Sequence, residues 1–152
     1  MSEKVLKSVF TVFAADILAL FVMFTLAGSS AFIVRLISAV CGIGVLTAIT
    51  GSYANKCAEQ DNSLKNMIVP AVSVSLPGVI SWGVLILSVK NKFEYYRWHK
   101  LLNGFFIQIF NFIEPDASSS ALSFGEIFEM LPLALVPSVI FVASFFIASK
   151  RN

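Results

Sequence analysis

The sequence predicts an all-α integral membrane protein: four transmembrane helices, with an interfacial or re-entrant amphipathic helix before the last. Three observations predict it. Hydrophobic residues make up 57% of the 152 positions and charged ones 13%, where soluble domains carry about 45–50% and about 25%. Mean hydropathy is +0.84, and eleven basic and nine acidic side chains are too few to cover a water-soluble globule of this size. Finally, four apolar runs of about 19–23 residues, at 9–27, 31–50, 67–89 and 127–149, match a hydrocarbon core of roughly 30 Å at 1.5 Å per residue. They must be helices, because an unclosed sheet leaves backbone groups unpaired in lipid. Residues 1–152 form a single transmembrane domain on this pattern, and a soluble enzyme, a disordered tail and a nucleic-acid binder are excluded.

The first run, Val9 to Ala27, is interrupted only by Asp16. Ser2–Lys7 ahead of it and the small residues after it have the outline of a signal peptide. The apolar stretch exceeds the usual 7–15 residues, however, it carries a carboxylate, and Phe32 opens another helix almost at once. A tight hairpin turning on Gly28-Ser29-Ser30 is therefore expected. The second run carries Arg35 near its start. It also places Ser38, Gly42, Gly44 and Ala48 at spacings that suit helix contact. Gly51 to Asn66 reads as a short solvated loop of mixed charge. The third run holds Pro70 and Pro77 and the fourth Pro132 and Pro137, each costing an internal hydrogen bond that Ser73, Ser75 or Ser81 can help replace. Leu76-Pro77-Gly78-Val79-Ile80 through Lys90 echoes Val136-Pro137-Ser138-Val139-Ile140 through Lys150 at an offset of sixty, as though both helices descend from one unit.

Between the third and fourth runs lies the most informative stretch. Lys90, Lys92, Arg97, His99 and Lys100 are interleaved with Phe93, Tyr95, Tyr96 and Trp98. That mixture suits a membrane–water boundary, where amphipathic rings and snorkelling cations settle. Lys90, Lys92, Arg97, Trp98, His99 and Lys100 are accordingly candidate lipid contacts. Within the amphipathic segment 95–114, Leu101 to Glu114 is too short to span comfortably and interrupts its apolar residues with Asn103, Gln108 and Asn111. It is expected to lie in the interface or re-enter it with its Phe and Ile face in lipid. A fifth crossing is the alternative.

With four crossings and both termini inside the cell, the inner face holds Lys4, Lys7, Lys56, Lys65, Lys150 and Arg151. The outer side holds Lys90, Lys92, Arg97 and Lys100, with Arg35 just below the surface. That is a weak positive-inside bias.

The candidate intramembrane polar site comprises Asp16, Arg35 and Glu129. A carboxylate at the depth of Asp16 costs a few kcal/mol and faces other helices or water. It is either a relay for protons or cations or a protonated, hydrogen-bonded aspartate that holds helices together. A separation of about 10 Å along the helix axes keeps Arg35 from pairing with it. Glu129 near the start of the last helix is favourable beside a helix N-terminus. Cys41 and Cys57, about 24 Å apart on a helix, are expected as free thiols. No Gly-rich phosphate loop, His-Glu-x-x-His, nucleophile elbow or metal cluster is present, so neither catalysis, a cofactor nor a metal is expected.

Asp61-Asn62-Ser63, the proline-bearing third helix, Tyr96-Arg97 with Leu101-Leu102-Asn103, Phe112-Ile113, and a last helix with Leu131-Pro132-Leu133 and Val136-Pro137 before a basic tail form a pattern over 55–149. The pattern resembles a group of small, uncharacterised multi-span membrane proteins of low-GC Gram-positive bacteria. Gly104 departs from it, standing where a second small residue followed by proline is expected. The resemblance implies a bacterial cell-membrane location and no activity. The expected role is a non-enzymatic accessory subunit in the lipid bilayer, bound to a membrane-protein partner or to further copies of itself and to no nucleic acid. The alternative is a small oligomeric transporter or channel using Asp16 and the proline-kinked helices.

Overall fold

The computed structural model describes residues 3–26, 32–116 and 118–151. The expected turn at Gly28-Ser29-Ser30 lies outside the described residues. Four long helices, α1 (Glu3–Leu26), α2 (Phe32–Gln60), α3 (Leu64–Asn91) and α6 (Phe124–Ser149), make the bundle, and each is long and apolar enough to cross a membrane. No strand occurs among the described residues.

The helices run further than hydropathy suggests. Residues 51–66 are not a loop: α2 continues to Gln60, and only Asp61-Asn62-Ser63 separates it from α3. Gly51, Ala54, Cys57 and Ala58 carry the buried face of α2 onward at helical spacing, while Ser52, Asn55, Lys56, Glu59 and Gln60 face outward. A window average blends the two faces and sees only polarity. Asn66 then closes the junction, donating through Nδ2 to the carbonyls of Cys57 and Asp61 at 2.8 Å each, which caps the end of α2 from the start of α3.

Around the bundle the order is α1, α2, α6, α3, with α3 returning to α1. Ser8 meets Tyr53, the Tyr53 ring packs at a tilt against Phe141, and Ser138 bonds to Ala71. The start of α1, the end of α2, the start of α3 and the end of α6 therefore share one end of the molecule. Small and polar side chains such as Ser8, Ala15, Ala19, Ser38 and Ser75 are buried beside large ones such as Leu46, Leu85, Phe141 and Phe145, whereas Phe10, Ile17, Phe21, Ile33, Val40, Val72, Phe128 and Val139 point outward. An apolar outer face suits lipid, since bulky apolar groups gain nothing from leaving hydrocarbon, and the small buried residues let backbones approach.

α3 and α6 share the most extensive contact, and of their prolines Pro70 and Pro137 are buried while Pro132 is exposed. Beyond Pro137 the amide of Ser138 donates to Ser75 Oγ at 3.1 Å, and the Ser138 hydroxyl lies 2.7 Å from the same oxygen. Ser75 thus bridges two helices. Ser73 instead returns to the Val69 carbonyl of its own helix at 2.6 Å, and Ser81 reaches His99.

The chain between α3 and α6 folds back into the bundle as a broken helical hairpin, as the re-entrant reading expects, and no fifth helix long and apolar enough to cross a membrane occurs among the described residues. α4 (Tyr96–Leu102) descends into the bundle. A 3₁₀ turn (Gly104–Phe106) makes the tip and runs into α5 (Ile107–Ile113), which climbs back. The ten residues from Gly104 to Ile113 span about 15 Å, half of a hydrocarbon core of roughly 30 Å. The tip contacts α1 and α2. A Cβ built on Gly78 of α3 would meet both the tip residue Asn103 and Ala134 of α6. α1, α2 and α3 therefore border it.

Candidate functional site

A helix pair folded into a bundle has four ends, the two at its tip away from water, and their unpaired amides and carbonyls need partners. Each end has one. The start of α4 is held by Ser119, whose hydroxyl oxygen accepts from the amides of Tyr95 (2.8 Å) and Tyr96 (2.9 Å). Glu94 fixes Ser119 in turn, accepting from its amide at 2.8 Å. At the end of α4, Asn103 Nδ2 donates to the His99 carbonyl at 2.9 Å.

The tip is where Asp16 acts. Its carboxylate accepts a hydrogen bond from the Gly104 amide, and the Phe105 amide also faces it. These are the free N–H groups that open the climbing helix, and the Asp16 side chain supplies the acceptor that no preceding turn provides. Asp16 is 4% exposed. Because α1 starts at Glu3 rather than at Val9, it sits mid-helix, deeper than the apolar run implies. Glycine is required at 104 for space: a Cβ there would strike the Leu20 side chain and stand 3.0 Å from Asp16 Oδ1. Gly42 on α2 makes the matching gap on the far side, where a Cβ would strike Met23 and the Phe105 carbonyl.

Cations close the end of α5. Arg35 donates through Nη2 to the Asn111 carbonyl at 3.0 Å, approaches Gln108 Oε1 at 3.5 Å and lies 4.9 Å over the Phe112 ring. Lys100 Nζ sits among four oxygens: Asn111 Oδ1 (2.8 Å) and the carbonyls of Glu114 (2.8 Å), Pro115 (3.3 Å) and Asp116 (3.0 Å). It also lies 4.3 Å from the Tyr96 ring centroid. The Tyr96 hydroxyl donates to the carbonyls of Phe110 (3.2 Å) and Glu114 (3.1 Å).

Two expectations for this region are corrected. His99 and Lys100, at 2% and 5% exposure, are not lipid contacts. α4 packs on α3, and these side chains point into the hairpin, where a carbonyl cluster and Ser81 supply what water otherwise would. Lys90, Lys92, Arg97 and Trp98 do stay exposed. Nor does the hairpin keep its Phe face in lipid. Phe105, Phe106 and Phe110 are buried because the tip packs on α1 and α2 rather than against acyl chains. Ring contacts run from Phe105 to Phe106 (4.7 Å), to Phe110 (6.3 Å) and on to His99 (5.0 Å).

The structure does not gather Asp16, Arg35 and Glu129 into one site. Asp16 binds the start and Arg35 the end of the climbing helix, while Glu129 is exposed. The capping role at α6 belongs to Glu126, which accepts from the Ser123 amide at 2.7 Å while Ser123 Oγ accepts from the Glu126 amide. Ser123 with Glu126 three residues on is a capping-box signature that could have found it. His99 Nδ1 lies 2.9 Å from Ser81 Oγ, whereas Nε2 is buried without a partner. Cys41 and Cys57 are free thiols. Among the described residues, no three His, Cys, Asp or Glu side chains converge as a metal site would require.

No family model, curated protein or solved structure matches the chain.

Proposed function

We propose that the protein is a non-enzymatic accessory subunit, multi-pass in a bacterial cell membrane with both termini cytoplasmic, and that it works by presenting its outer helix faces to a membrane partner or to further copies of itself. One observation carries this: Asp16, Arg35 and Lys100 all bind backbone groups of the hairpin. Polar groups committed to holding a fold are withdrawn from chemistry, and what the molecule offers its surroundings is apolar helix surface. Burial of Lys100 and the inward reach of Arg35 support the orientation. They leave Lys90, Lys92 and Arg97 exposed at the hairpin end, against Lys4, Lys7, Lys56, Lys65, Lys150 and Arg151 at the other. Native mass spectrometry of protein extracted in mild detergent tests the subunit role. A stable complex heavier than the single chain is expected, and a lone chain with only lipid attached overturns it.

A small oligomeric transporter is the rival, favoured by a mid-helix carboxylate at the tip of a broken helix, a construction carriers use. Asp16→Asn retains an oxygen that can accept from Gly104 and removes the charge. Proton or cation flux into liposomes that is present for the native chain and lost in the variant would favour the carrier.

A further inference from the structure

We propose that the end of the bundle carrying both termini holds an anionic phospholipid, its phosphate among Lys4, Lys7 and Lys56 and one acyl chain along the groove between α1 and α2. Two adjoining concavities make the place. A cleft of about 610 Å³ is lined by Lys4, Lys7 and Lys56 together with Tyr53 and Asn66. A second, of about 580 Å³, is lined by Ala14, Ala48 and Ile49. Phe10, Thr11, Tyr53 and Lys56 line both, so the basic mouth opens directly into an apolar channel.

The order of these parts is that of a lipid in its leaflet. The lysines flank the apolar run that begins at Val9, and Ala14 lies about 10 Å deeper than Lys7 along α1. The small side chains of Ala14 and Ala48 leave the width an acyl chain needs, and a basic pocket between transmembrane helices suits an anionic headgroup. Glu3 is the one carboxylate in the cleft, paired with Lys7 at 2.7 Å. Both partners are largely exposed, so the pair holds weakly and a phosphate can replace it. Among the described residues the hairpin end carries a smaller cleft of opposite character. Its cleft of about 330 Å³ sets Arg97 against Glu94 and Asp116.

The test is native mass spectrometry of the full chain titrated with phosphatidylglycerol or phosphatidylcholine. Lys4 is left in place because it bonds to Asn66. The native chain is expected to retain phosphatidylglycerol over phosphatidylcholine. Lys7→Gln/Lys56→Gln should weaken phosphatidylglycerol roughly 30-fold at unchanged melting temperature, and Ala48→Trp, which fills the groove, should weaken both lipids. Lys90→Gln/Lys92→Gln at the opposite end should change neither. Equal retention of the two lipids, or equal loss from the opposite-end pair, overturns the site. Displacement by millimolar inorganic phosphate, with no effect of Ala48→Trp, reassigns the lysines to free phosphate and overturns the lipid. The subunit role and this site fail separately, since lipid retention is read on the isolated chain.

Discussion

A methyl group has no room at Gly104, where it would meet Leu20 and the Asp16 carboxylate, or at Gly42, where it would meet Met23 and the Phe105 carbonyl. Gly44, two residues on, faces open space. Gly104→Ala and Gly42→Ala are each expected to cost about 1–3 kcal/mol, and Gly44→Ala to leave stability unchanged or raise it by up to about 1 kcal/mol. Denaturant unfolding in detergent reads all three, and equal effects would mean that the tip is not where the close packing lies. Lys100→Met removes the donor that serves four oxygens and is expected to cost about 1–3 kcal/mol, with faster amide exchange at Glu114 and Asp116 but not in α1. Of the residues concerned, Asp16 is legible in the sequence, because a lone carboxylate in an apolar run needs a partner. Its partner is not legible. A backbone amide has no letter, and Gly104 stands 88 positions away. Lys100 is illegible for a related reason: a lysine among aromatics snorkels in most settings, and only a nearby cluster of carbonyls, a product of the folded loop, turns it inward.

At the level of helices, α3 and α6 meet through Ser75 and Ser138. Ser75→Ala and Ser138→Ala should each destabilise, and the double variant should fall short of their sum by about 0.6 kcal/mol, the usual coupling of such pairs in membranes. Strict additivity would show that the bridge contributes nothing. The α2–α3 junction responds to acid. Asp61 accepts from the Ser63 amide and hydroxyl at 2.9 Å each, and the amide bond foremost, then the hydroxyl, hold its carboxyl below the ordinary value of 3.8. A carboxyl depressed in the folded state adds stability above its unfolded value and loses it as pH falls through the lowered one. Amide exchange at Ser63 should therefore be slow near neutrality and gain an acid-dependent opening below about pH 4, absent in Asp61→Asn. Exchange in the two proteins that stays parallel through the acid range would contradict this. The spans are legible because lipid imposes one length and one secondary structure. The extra turns of α2 are not, since Gly51, Ala54, Cys57 and Ala58 declare themselves only when the facing helices are known.

For the molecule as a whole, four crossings put Asn55 and Asn91 on opposite sides, and both are exposed. In a Cys41→Ser/Cys57→Ser background, Asn91→Cys should react with an impermeant maleimide on intact cells and Asn55→Cys only after permeabilisation. The reverse pattern would turn the termini outward, and labelling of both from one side would change the number of crossings.

The bond between Asp16 and Gly104 also orders the birth of the protein. α1 leaves the ribosome 88 residues before the hairpin tip that its carboxylate caps, and at 5–20 residues per second that gap lasts roughly 4–18 s. Throughout it the nascent chain carries a buried acid with no donor. α2 and α3 are made in that interval, before the amide that Asp16 binds.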